Sequence, residues 1–163
     1  MPLSIFEKIL VGTLLVMGGI ALCFEPLFYL NHQRWNQGEA SQLGQLVVSV
    51  WDVYNAWDPI FADPPLWLKV MCWIEVLVFG PLYLFSAFVI SRRQSRLLRT
   101  VVLPFSGALL YSTVVYFALE CLDPLPGTNL PMVFLINCPW TLLPIAIFFL
   151  ACSSSSSSSK KHR

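Results

Sequence analysis

Residues 66–90 read LWLKVMCWIEVLVFGPLYLFSAFVI, and residues 91–100 continue SRRQSRLLRT. A membrane-crossing helix needs about 20 mainly apolar residues, and the first run exceeds that with only Lys69 and Glu75 ionisable. The second carries Arg92, Arg93, Arg96 and Arg99 and no acid, the flank expected on the cytosolic side of a span. Working outward, three more runs qualify: Ile9 to Leu30, Val101 to Leu119 and Pro131 to Ala151. Hydrophobic residues make up 56% of the chain and charged residues 12%, about half the usual charged share. The pattern predicts an all-α membrane protein, a four-helix transmembrane bundle over residues 1–152.

The first run is too long for a removable signal peptide, carries Glu25, and has no small-residue cleavage site before Phe24, Phe28 and Tyr29. Segment 31–65 sets Arg34 against Glu39, Asp52, Asp58 and Asp63, whereas the tail holds Lys160, Lys161 and Arg163. The arginine loop and both termini are therefore expected in the cytosol. Residues 153–163 read as a disordered serine spacer with a basic end. Lys160 and Lys161 match a dilysine retrieval signal, read by COPI-type machinery, which predicts residence in the endoplasmic reticulum membrane. The alternative is a plain basic flank to the last span. Between the first two spans, Leu46, Val47, Val50, Trp51, Tyr54 and Trp57 suggest a short amphipathic helix on the lumenal face. Asp63-Pro64-Pro65 then stops the chain before the second span. The five cysteines show no CxxC or CxxH spacing, so neither a disulfide framework nor a zinc site is indicated. No metal, cofactor or nucleic-acid partner is expected.

An ionisable side chain inside a membrane is costly and marks a candidate functional site. Glu25 lies near the lumenal end of the first span, Glu75 roughly 14 Å into the second, and Glu120 at the lumenal end of the third. Asn137 lies roughly 9 Å into the fourth, with Trp140 on the same face at i+3. All fall in one half of the bilayer and can line one cavity, with Asp58 at its lip. The alternative is that these acids bond to neighbouring helices and hold the bundle together. Trp73 and Trp140 are deep enough to face the cavity, where an indole stabilises a cation.

Several stretches resemble the EXPERA-domain family, which includes the emopamil-binding protein (a sterol Δ8–Δ7 isomerase) and the sigma-2 receptor. Tyr54-Asn55-Ala56-Trp57-Asp58-Pro59 and Asp63-Pro64-Pro65-Leu66-Trp67 are similar to the receptor's aspartate–proline segment. Trp73-Ile74-Glu75 with Phe79-Gly80-Pro81-Leu82 resembles the glutamate-bearing second span of both branches. Asn137-Cys138-Pro139-Trp140 with Pro144, and Tyr116-Phe117-Ala118-Leu119-Glu120, look like the isomerase's last spans. The resemblance implies a sterol, terpenoid or other hydrophobic ligand, contact with membrane lipid, and a homodimer. It departs at Ala21, one turn before Glu25, where the isomerase branch carries a histidine of its catalytic apparatus.

Two functions fit. An isomerase needs an acid to protonate an alkene, a surface to stabilise the cation and a base to remove another proton. Glu75 is the candidate acid, Glu25 or Asp58 the base and Trp140 the cation-stabilising face, with Asn137, Tyr116, Glu120 and Trp73 as ligand contacts. A non-catalytic protein would use the same carboxylates to bind hydroxylated sterols or amines. A transporter is disfavoured, since no inverted repeat is visible.

Overall fold

The computed structural model describes residues 3–27 and 42–159, with side chains as far as 153. Lys160 and Lys161, the proposed retrieval signal, lie outside the described residues, as do His32, Arg34 and Glu39. Among the described residues five long helices follow in order: α1 (Ile5–Leu27), α2 (Gln42–Asn55), α3 (Leu66–Ser91), α4 (Ser95–Leu122) and α5 (Leu130–Ser159). Each of α1, α3, α4 and α5 is long and apolar enough to cross a membrane, so the protein is a multi-pass membrane protein.

Helix ends differ from the apolar runs for identifiable reasons. At the start of α1, Ser4 accepts from the Glu7 N–H while the Glu7 carboxylate accepts from the Ser4 N–H, a capping box invisible to hydropathy. Helix α4 begins at Ser95 rather than Val101, because the turn between α3 and α4 closes within three residues, with Arg93 at φ +51°. Arginine is a good helix former, so a charged stretch that cannot sit in hydrocarbon is still helical. At the other extreme the α5 backbone stays helical through the serine run to Ser159.

Three spans contain a π turn, and in each a proline sits six residues beyond the carbonyl that opens it. Ile20, Glu75 and Leu98 accept from the N–H groups of Glu25, Gly80 and Leu103, and Pro26, Pro81 and Pro104 come next. A proline inside a regular helix lacks its N–H and clashes with the carbonyl four residues back; widening the preceding turn relieves both. Helix α5 keeps its α register past Pro139 and Pro144. There the Trp140 carbonyl, freed by Pro144, lies 3.5 Å from the Thr113 hydroxyl on α4.

Helix α1 packs chiefly on α3, and α4 on α5. One half of the bundle, toward the arginine turn, is a continuous apolar core that includes Leu14, Tyr83, Val102, Leu109 and Ile147. The other half holds a smaller cluster of Phe61, Leu68, Tyr116 and Val133 beside a cavity. Helices in lipid gain little from hydrophobicity, so close approach at small residues matters. A Cβ at Gly80 would lie 2.8 Å from the Leu22 Cγ and Cδ2 atoms and 3.4 Å from the Ala21 Cβ.

Gly80→Val should destabilise the purified protein by about 1–3 kcal/mol through overpacking. Gly107→Val, on a face with nothing within 4 Å of the added Cβ, should melt close to wild type. Equal melting temperatures for the two variants would contradict the close α1–α3 contact.

Candidate functional site

The cavity occupies about 280 Å³, near the lower end of ligand pockets, which run to about 300–1,000 Å³. Its wall is mostly apolar and aromatic, with Glu25 from α1, Glu75 from α3, Tyr116 from α4, and Asn137 and Trp140 from α5. Helix α2 does more than lie at the surface. Trp51 and Tyr54, with half-exposed Val50, line one side of the cavity, and Val47 and Val48 are buried as well. Ring contacts of Trp51 with Phe24, Tyr54 and Phe61, at 5.1–6.1 Å between centroids, tie α2 to α1 and to the turn before α3.

Glu75 is the most tightly held of the acids on the wall. Its Oε1 accepts from the Tyr83 hydroxyl at 2.7 Å and from the Trp140 indole N–H at 3.0 Å. An indole nitrogen can only donate, so this oxygen is an acceptor, and any proton on Glu75 sits on Oε2. Tyr83 is fully buried and its role escapes a reading by helical period. Eight residues from Glu75, it falls about 80° away on an ideal α-helix. The π turn Glu75–Phe79 absorbs one residue, and the spacing behaves as seven, two full turns on one face. Glu25 lines the same cavity as Glu75. Among the described residues the buried Oε2 of Glu25 has no hydrogen-bond partner.

A second network stands behind the opposite wall. Tyr54 donates to Asp58 Oδ2 at 3.1 Å, and Tyr116 donates to the same oxygen. Asn137 Nδ2 donates to the Tyr54 hydroxyl and to the Val133 carbonyl, both at 2.9 Å. Asp58 is 0% exposed and does not reach the cavity, because the two tyrosines stand between. Burial pushes its carboxyl above its ordinary value, against the bonds from Tyr116, Tyr54 and the Ile60 N–H. Burial likewise raises the Tyr54 phenol.

The structure thus gathers Glu25, Glu75, Tyr116, Asn137 and Trp140 around one space, sets Asp58 one layer behind it, and separates two others. Trp73 is 42% exposed on the outer face of α3 and is not a cavity residue; two positions from Glu75, it points some 200° away. Glu120 is 2% exposed, buried off the cavity rather than lining it. Tyr54 and Trp51 in the wall and Tyr83 beneath Glu75 are further residues of the site that apolar length and depth do not single out.

A family model described as EXPERA (EXPanded EBP superfamily) matches residues 46–151. The chain belongs to the EXPERA family. Its match runs from α2 into α5 and contains both hydrogen-bond networks; α1, with Ala21 and Glu25, lies outside it. No curated protein and no solved structure matches the chain. EXPERA membership supports a sterol isomerase or a sigma-receptor-like sterol-binding role, without separating the two.

Asp58→Ala leaves two buried phenols without their shared acceptor and should cost about 1–3 kcal/mol. Adding Tyr116→Phe to that variant should cost little more, because the two residues share one network. Thermal melts of the single and double variants test this; strictly additive losses would mean that Asp58 and Tyr116 act separately.

Proposed function

We propose that the protein is a membrane-embedded isomerase that moves a double bond in a sterol or terpenoid by acid–base proton transfer. The observation that carries this reading is a pair of carboxyls, Glu25 and Glu75, on facing helices of one apolar cavity, with the Trp140 indole bonded to one of them. Glu75 delivers a proton from Oε2 to one alkene carbon, which leaves a carbocation on the other. The aromatic wall stabilises that cation through its ring faces. Glu25 takes a proton from an adjacent carbon, whose C–H electrons form the new double bond. The pair resets when the proton passes back from Glu25 to Glu75, so no redox partner is required. Asn137 and Tyr54 offer polar contacts for a substrate hydroxyl. Asp58, assigned above to the base, acts through the tyrosines as a positioning residue.

The setting we infer is the endoplasmic reticulum membrane, with the cavity toward the lumenal leaflet and the arginine turn and termini in the cytosol. The charge asymmetry and the Lys160-Lys161 tail support this. The family resemblance supports a homodimer.

A second reading has an observation of its own. Ala21 is 1% exposed and packs toward Gly80, with no room for an imidazole in that contact. Without that group, the same cavity serves a non-catalytic receptor for sterols or amines, with Glu75 or Glu25 pairing with a ligand cation.

Expression in yeast lacking its own sterol Δ8–Δ7 isomerase, followed by sterol profiling, separates the readings. Restored Δ7 sterols, reduced about 10²–10⁴-fold in turnover by Glu75→Gln, are expected for the sterol isomerase. Unchanged sterols despite a folded, membrane-resident protein would exclude that substrate. Saturable sterol binding, weakened by Glu75→Gln, would then favour the receptor reading.

A further inference from the structure

The cavity wall built by Tyr54, Tyr116 and Asn137 offers hydrogen-bond acceptors and holds its donors back. A primary amide carries two N–H donors and one acceptor oxygen. In Asn137 both donors are committed, one to the Tyr54 hydroxyl and one to the Val133 carbonyl, each at 2.9 Å. A carbonyl can only accept, so the second bond fixes which end of the amide is nitrogen. Asn137 lines the cavity, and Oδ1 is the end of its amide left for a ligand.

The two phenols beside it are in the same condition. Each has a single hydrogen, and Tyr54 and Tyr116 both direct theirs to Asp58 Oδ2. Their oxygens lie 3.3 Å apart, so a hydrogen passed from one phenol to the other is spent as well. Asp58 is 0% exposed. Turning a phenol hydrogen toward a ligand would strip a bond from that buried carboxylate, which is costly. Both phenols line the cavity, where their oxygens can still accept. Of the other wall hydroxyls, Thr113 donates to the Leu109 carbonyl at 2.9 Å and lies 3.5 Å from the Trp140 carbonyl. Ser112, its neighbour, therefore stands toward the Trp140 end, one helical turn from Tyr116.

We infer that Asn137 and Tyr54 read the ligand as a hydrogen-bond donor, so that the cavity selects an alcohol over the corresponding ketone or aldehyde. An alcohol gives its hydrogen to Asn137 Oδ1. A carbonyl oxygen at the same place meets only oxygen lone pairs and is buried without a donor. The selection presupposes that the cavity takes a sterol or terpenoid, as proposed above, and sets the oxidation level of that ligand's polar end. It concerns binding alone, so it holds for an enzyme and for a receptor alike.

Equilibrium binding of tritiated probes to the full chain in lipid nanodiscs tests the selection with two matched pairs. One pair is zymostenol and the ketone made from it; the other is farnesol and farnesal. In at least one pair the alcohol should bind about 5–100-fold more tightly than its carbonyl partner. Asn137→Leu should bring that ratio close to one. Tyr54→Phe releases an Nδ2 hydrogen of Asn137 and should strengthen carbonyl binding, a gain that lost packing would not produce. Equal affinities within both pairs, or a wild-type ratio in both variants, would overturn the selection and leave the ligand class standing. Binding of neither pair would remove the ligand class and the selection together. If Asn137→Leu fails to fold, the wild-type ratio and the Tyr54→Phe gain still decide.

Discussion

In hydrocarbon a polar group has no water to fall back on, so each one must be satisfied within the protein. The bundle meets that constraint by dividing into halves. Toward the arginine turn the four spans pack as a dry apolar core. Toward the other end Glu75 is held by Trp140, and Asp58 by Tyr116, across elements, while Glu25 Oε2 and Glu120 Oε1 find no hydrogen-bond partner among the described residues. The bond from Trp140 to Glu75 has a special place in this arrangement. Helices α1 and α3 form one closely packed pair and α4 and α5 the other, and this bond crosses between the pairs at the cavity.

Proline governs the local geometry of the same groups. Glu75 opens a π turn and Glu25 closes one, because a proline follows each turn at the same interval. A π turn rotates the residues beyond it relative to a regular helix. That rotation brings Tyr83 beneath Glu75, and it lets a glutamate be held by its own helix and by α5 together. Removing the proline would straighten the helix and move the tyrosine off the carboxylate's face. Here backbone strain relief and side-chain placement are one feature.

The span count, the meeting of Glu25, Glu75 and Asn137 at one cavity, and the i, i+3 pairing of Asn137 with Trp140 were legible because apolar length and 1.5 Å per residue convert directly into position along a helix. The rest was hidden by two effects. Trp73 was misjudged and Tyr83 passed over because depth alone does not give helical face: Trp73 has the depth but the wrong side, and Tyr83 has the side only once the π turn is counted. Tyr54 and Asp58 were misplaced because a helix between spans reads as interfacial from its amphipathic pattern. Nothing local in the sequence shows that its aromatic face folds down over a cavity rather than into lipid.

That inward turn of α2 explains how one scaffold can serve either catalysis or binding. The carboxyls lie on spanning helices whose packing fixes their separation, whereas the opposite wall belongs to a shorter helix held by ring contacts and by the Asp58 network. Changes in α2 alter the shape and polarity offered to a ligand, and reach α1 through the Trp51–Phe24 ring contact rather than through the α1–α3 packing. Changes at position 21 act the other way. Ala21 sits in the α1–α3 contact against Gly80, so a larger group there must push the two carboxyl-bearing helices apart. The choice between proton transfer and simple binding is therefore coupled to the spacing of α1 and α3, and the choice of ligand to the wall built by α2.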